Sequence, residues 1–176
     1  MPTRTSTRTS TRARKSQAAK VDLAALPGHH IRRLQQIAVA IFLQETEGHG
    51  LTPVQYAALQ TVGNQPGVDQ RTLARGIGFD TSTIAGVVDR LEARGLVQRN
   101  ASADDRRVRL LTLTDAGHTA LLEVVPAMRR AQDRMLAPLK RAERNEFMRL
   151  VRVLVSSNNE HSRAPSEAQD PVKTRP

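Results

Sequence analysis

Residues 81–117 read TSTIAGVVDRLEARGLVQRNASADDRRVRLLTLTDAG. Ile84, Val87, Val88 and Leu91 stand at i, i+3, i+4 and i+7, one apolar stripe of a helix that must face a core. The opposite face is small and polar: Ser82, Ala85, Gly86 and Asp89, with Thr81 at its start and Thr83 and Arg90 at its flanks. By itself this pattern also fits an ordinary amphipathic helix with a solvated face. The flanking chain adds the second half of the reading.

Asp80 is placed to cap this helix and Gly95 to end it, while Asp69 is placed to cap a shorter helix running through Arg75. Gly76-Ile77-Gly78 supplies the turn between the two, which makes a helix-turn-helix unit. After Gly95, two β-rich runs, 96–100 and 108–113, flank a polar tip and predict a hairpin, although the adjacent Leu110 and Leu111 break the alternation. Arg99, Arg106, Arg107 and Arg109 concentrate positive charge on that hairpin, a pattern shared by solvated turns and by wings laid along DNA. Beside a helix pair, the expectation is a winged helix-turn-helix reader. Its expected DNA contacts are Gln70, Arg71, Thr81, Ser82, Thr83, Ala85, Gly86, Asp89, Arg90, Arg94, Arg99, Arg106 and Arg107. Asp105, two residues before Arg107, is expected to orient that guanidinium through a charge-assisted hydrogen bond.

The helices around the reader follow from periodicity. Ile31, Leu34, Ile37, Ala38, Ile41 and Phe42 form the stripe of a first helix from about Pro27 to Glu45, stopped by Gly48 and Gly50. Thr52 followed by Pro53 starts a second, ending near Gly63. Leu121, Val125, Met128, Gln132, Met135 and Leu139 step by fours and threes along a long helix that Pro126 should bend. Phe147, Leu150, Val151 and Leu154 give the last helix its apolar face. One short chain offers too little core for these helices, so the first and the last two are expected to interlock with a second copy. The fold class expected is mainly α with a small β-hairpin wing: a winged helix-turn-helix reader plus a helical dimerisation region. The expected layout is a disordered basic arm over 1–26, the domain over 27–156 and a disordered tail over 157–176. Within the domain, about 51–113 is the reader, and about 27–47 and 114–156 are for dimerisation.

Composition narrows the function classes. The 176 residues carry a net charge of +10, which favours an anionic partner, and the first twenty residues contribute six of those charges with no acid. That arm reads either as a DNA-backbone contact or as a solvated tail. There is no Cys, so thiol chemistry and disulfides are excluded. No apolar run approaches the ~18 residues of a membrane span, and no apolar segment follows the basic N-terminus as in a secretory signal, so cytoplasm is the expected compartment and no membrane the expected partner. His29, His30, His49, His118 and His161 lack metal-ligand spacing, and Gly76-Ile77-Gly78 lacks the lysine of a phosphate loop. No enzyme, metal or cofactor is expected.

The run 83–97, the Asp105-Arg106-Arg107 tip, the exit Leu113-Thr114-Asp115-Ala116-Gly117 and the upstream run 51–56 together resemble the multiple antibiotic resistance regulator (MarR) family of bacterial transcription factors. The likeness spans about His29 to Val155, and Gly86 inside the recognition helix is its mild departure. It implies that Arg107 enters a minor groove with Asp105 as its partner. It implies also a homodimer on a pseudo-palindromic operator, double-stranded DNA being the partner, and repression rather than activation. A small anionic aromatic ligand is implied between the dimerisation helices and the reader. His29 and Arg33 then pair with its carboxylate, with His30 beside them and Ile37 and Tyr56 on its ring. The first two helices are similar to those of regulators of aromatic-acid or nicotinate catabolism, which implies a hydroxybenzoate or hydroxynicotinate. The same histidines and arginine equally fit exposed polar positions at a helix start. A ligand-independent architectural DNA-binding protein is the competing reading.

Overall fold

The computed structural model describes residues 21–103, 105 and 107–162. The arm over 1–20, the tip residue Arg106 and the tail from 163 lie outside the described residues. The chain is already folded ahead of Pro27. A 3₁₀ turn at Leu23–Ala25 is capped by the Asp22 carboxylate, which accepts from the Ala24 N–H at 2.9 Å, and His30 Nε2 meets the Ala24 carbonyl at 2.7 Å. The expected disordered arm therefore does not extend to residue 26.

Helix α1 (Pro27–Glu45) begins on a proline and ends where the Thr46 hydroxyl donates to the Phe42 carbonyl. Gly48 and Gly50, at φ +91° and +64°, turn the chain into α2 (Pro53–Asn64). Thr52 and Gln55 close a reciprocal capping box there, so the entry to α2 is fixed by its own side chains. Strand β1 (Val68–Asp69) follows, and Asp69 then caps α3 (Gln70–Gly76) through the Arg71 and Thr72 N–H groups. Asp80 caps α4 (Thr81–Ala93), and Gly95 at φ +68° ends it. β2 (Val97–Ala101) and β3 (Arg109–Leu113) form the hairpin, α5 (Asp115–Leu136) leaves it, and α6 (Arg141–Ser157) closes the series.

The sheet order is β1-β3-β2, all antiparallel, with Val68 opposite Leu111 and Arg99 opposite Leu111 on the other side. β1 has only two residues, too few for an alternation signal, and the sequence does not announce it. Register resolves the doubled leucine: Leu111 and Leu113 face the core, while Leu110 is half-buried between Asp69 and Asn100. Leu59, Val62, Leu73, Ile84, Val87, Val88, Leu91, Leu111 and Val124 are fully buried, so one core joins α2, α3, α4, the sheet and the first half of α5.

α5 is continuous through Pro126, and the residues it buries within this chain are Gly117, Val124, Ala127 and Ala131, beside the Leu121-to-Leu139 stripe expected to pack along a second copy. α1 lies along α5, and Glu45 of α1 pairs with Arg130 at 3.3 Å and Arg134 at 3.1 Å. Leu121, Val125, Met128, Met135 and Leu139 are left half-buried and Gln132 exposed. At the C-terminal end the expected tail opens with a further 3₁₀ turn, Asn159–His161, so folded chain continues past Ser157. No described helix is long and apolar enough to cross a membrane.

Where α5 begins, a Cβ on Gly117 would stand 1.9 Å from the Leu96 carbonyl oxygen, whereas one on Gly86 would meet only the Arg90 guanidinium, at 3.6 Å. Gly117→Ala is therefore expected to lower the unfolding free energy by about 2 kcal/mol or more. Gly86→Ala is expected to raise it by about 0.5–1 kcal/mol through helix propensity. Urea denaturation of both variants at one protomer concentration checks the pair.

Candidate nucleic-acid interface

The Asp80 carboxylate organises the start of α4. It accepts from the Thr83 N–H at 2.8 Å, from the Ser82 hydroxyl at 2.5 Å and from the Thr83 hydroxyl at 2.7 Å. The hydroxyl of Ser82, then the backbone and hydroxyl of Thr83, hold its pKa well below the usual carboxylate range. Because both hydroxyls spend their protons on Asp80, each presents oxygen lone pairs to its surroundings. Thr81, Ser82 and Thr83 are exposed, Ala85 and Gly86 half-buried, and Asp89 and Arg90 exposed. Gly86 has no neighbour that demands a glycine, since the Arg90 side chain near it is flexible.

α3 supports this helix from behind. The Gln70 amide donates to the Thr81 carbonyl at 3.5 Å, so Gln70 helps to seat α4, and Arg71 is exposed beside it. Burial opposes the charge on Asp69, but hydrogen bonds from Thr72 and Arg71 outweigh it and hold that carboxyl low as well. Both helices of the unit are thus started by ionised aspartates, whose charge also suits the positive end of each helix.

The arginines divide by what they touch. Arg94 donates to the carbonyls of Gly50 at 2.7 Å and His49 at 3.3 Å, which ties the end of α4 to the loop between α1 and α2. Arg99 reaches from β2 back to α4, pairing with Asp89 at 2.5 Å and with Glu92. Burial disfavours its charge, and the hydrogen bond with Asp89 together with the Glu92 carboxylate more than offset that, so its pKa is raised. Asp105 does not hold the Arg107 guanidinium as expected. Its carboxylate accepts from the Arg107 backbone N–H at 2.9 Å, because at a two-residue separation an aspartate closes a local turn before it reaches the next side chain's tip. Arg107 is exposed on the hairpin.

The residues expected to hold a ligand spread along two helices. His29 and His30 contact each other edge-on at 5.7 Å, His30 is held by the Ala24 carbonyl, and Arg33 and Ile37 are exposed along α1. Tyr56 on α2 packs against Phe42 at 5.9 Å and donates to Gln60 at 3.1 Å. Burial pushes the Tyr56 phenol up, opposed by the positive charge of Arg129 on α5. Phe42 and Arg129 are thus neighbours of Tyr56 not expected in this role: in the sequence Phe42 belongs to the apolar stripe of the first helix, and Arg129 approaches only through the α2–α5 packing. None of the five expected ligand residues lines the open cleft of about 470 Å³ between the α3–α4 turn and the end of α6, where Ile77, Val155, Asn158 and His161 meet.

The family model of MarR matches residues 49–108, from the loop ahead of α2 to the hairpin. The transcriptional repressor NicR of Pseudomonas putida is 31% identical over 137 residues, 78% of this chain and 87% of that protein. The chain belongs to the MarR family. Among solved structures, PcaV of Streptomyces coelicolor, a transcriptional regulator in complex with its natural ligand, is similar at a TM-score of 0.74 and 39% identity, covering 79% of this chain and 98% of PcaV. Bordetella bronchiseptica BpsR, whose structure concerns regulation of its DNA binding by 6-hydroxynicotinic acid, is similar at 0.73 and 30%, covering 77% and 96%. As a MarR-family chain of winged-helix fold this is a DNA-binding transcriptional regulator.

The Asp80 cap gives a pH signature. A depressed folded pKa contributes stability that is fully present above the unfolded value of about 3.9 and is lost as pH falls through the folded one. The difference in melting temperature between wild type and Asp80→Ala should therefore be full at pH 6 and shrink steadily below about pH 4. Thermal melts across that range check it, and a pH-independent difference would contradict the charged cap.

Proposed function

We propose that this chain is a homodimeric repressor that binds a pseudo-palindromic operator and leaves it when a small aromatic carboxylate binds. The observation that carries the reading is the face of α4. Hydroxyls with free lone pairs and a glycine unexplained by packing lie next to a hairpin carrying the exposed Arg107. Such a face lets the helix backbone approach base edges, where hydroxyl oxygens accept from adenine or cytosine amino groups, while Arg107 enters the neighbouring minor groove. Arg71 and Arg90 are exposed and free to reach phosphates in this reading.

Dimerisation is supported by α6, which buries no residue within its own chain and exposes Leu150, Val153 and Leu154 at 47–56%. α1 exposes Ile31, Leu34 and Ile37 in the same way. A second copy covering these faces sets two recognition helices about 34–36 Å apart, one turn of DNA. The ligand reading is supported by the likeness to PcaV and BpsR and by the Phe42, Tyr56 and Arg129 neighbourhood. An aromatic ring fits against Phe42 and Tyr56, and its carboxylate has Arg129 or Arg33 as candidate partners, while His29, thirteen residues before Phe42 on α1, stands roughly 20 Å along the helix from that ring. A hydroxynicotinate or hydroxybenzoate has this chemistry. The basic arm over 1–20 adds phosphate contacts that salt removes.

Selection of duplexes from a random pool by the full-length protein, with and without 6-hydroxynicotinic acid or 4-hydroxybenzoate, tests the reading. A two-fold symmetric site released by one compound is expected. Equal, salt-sensitive binding to every duplex would favour an architectural protein. Arg107→Ala should weaken all duplexes alike and flatten the salt dependence by about one unit, while Ser82→Ala should change base preference at one position of each half-site. Leu150→Ala with Leu154→Ala should weaken dimer and operator binding together in sedimentation and DNA titrations. A monomer with wild-type affinity would contradict the dimeric arrangement.

A further inference from the structure

We propose that Arg99 is a positioning residue of the reader: from the wing it neutralises and holds Asp89 and Glu92 of the recognition helix, and it does so without touching DNA. The inference rests on the reading that α4 and the wing bind a specific duplex. It reassigns a residue whose place in a basic hairpin suggests a phosphate contact.

Asp89 stands three residues after Gly86 and seven after Ser82, on the face of α4 turned outward, and it is 65% exposed at its side chain. Glu92 lies one turn further on, 40% exposed. Two carboxylates beside a polyanion repel it, and that repulsion grows as the closing interface expels water and salt. Arg99 answers both at once. Its Nη2 takes the Asp89 carboxylate at 2.5 Å and its Nη1 takes Glu92, so one planar fork spans a helical turn.

The cation is held in place from behind. Arg99 sits in the β2–β3 ladder opposite Leu111, which is completely buried, and its own side chain is only 21% exposed. Arg71, Arg90 and Arg107 are exposed and carry no ion pair among the described residues. Exposed ion pairs contribute little to folding, so stability is a weak reason for this bridge. Its consequence for binding is larger: it removes negative charge from the recognition face and fixes the wing at one distance from α4, so that Arg107 and Ser82 meet adjacent grooves in register.

The test uses the full-length protein and a duplex selected by the wild type. Arg99→Gln is expected to weaken binding at least about tenfold while leaving the slope of affinity against salt unchanged, since no phosphate contact is lost. In the Asp89→Asn/Glu92→Gln background, the same substitution should change affinity by less than about twofold, the signature of coupled residues in a mutant cycle. Arg99→Lys, a charge without the fork, should fall between and serves as the comparison if Arg99→Gln melts early. Equal losses in both backgrounds, with the slope reduced by about one, would make Arg99 a phosphate contact and overturn the proposal. Wild-type protein that enriches no duplex would overturn the DNA-reading function itself, separately from the cycle.

Discussion

At the junction of α4, the hairpin and α5, the Leu96 carbonyl accepts the Thr114 N–H at 3.2 Å, the Thr114 hydroxyl donates to the Gly95 carbonyl at 2.5 Å, and Gly117 crosses so close to Leu96 that no side chain fits. Thr114 also caps α5 through the Gly117 N–H. One threonine and one glycine therefore fix three directions: that of the recognition helix as it ends, that of the strand pair as it closes, and that of the long helix that leaves. α1 in turn packs along α5, so the same joint also sets where α1 lies relative to α4.

Much of the fold was legible because its boundaries are set by local chemistry. Asp69, Asp80, Thr52 and Thr114 each meet a backbone N–H two or three residues on, and Gly95 takes the left-handed conformation that ends α4. Such signals need only neighbouring residues. What was not legible depends on residues far apart in sequence. β1 exists because two residues meet the edge of β3, and which residues of α5 are buried within the chain depends on its packing against α1, α2 and β3.

The candidate site divides in the same way. Periodicity placed Ser82, Gly86 and Arg90 correctly on the outer face of α4, since the opposite stripe had to be buried. Composition cannot distinguish an arginine that faces DNA from one that holds the reader together. Arg94 and Arg99 look like Arg90 and Arg107 in the sequence, yet one is tied to the His49 and Gly50 carbonyls and the other to Asp89 and Glu92. Their partners come from 44 and 45 residues away in the first case and from the neighbouring helix in the second. Arg94 also ties the end of α4 to the loop that follows α1.

In the proposed dimer two copies present two recognition helices one DNA turn apart. The absence of cysteine makes this directly measurable, because Ala93→Cys at the exposed end of α4 introduces a single labelling site per chain. A spin-label distance distribution on the selected duplex should then contain one peak near about 34–36 Å, broadened by the label arms, and should shift when the duplex is released. No dipolar coupling between labels on a saturated duplex, or a distance incompatible with successive major grooves, would contradict the account.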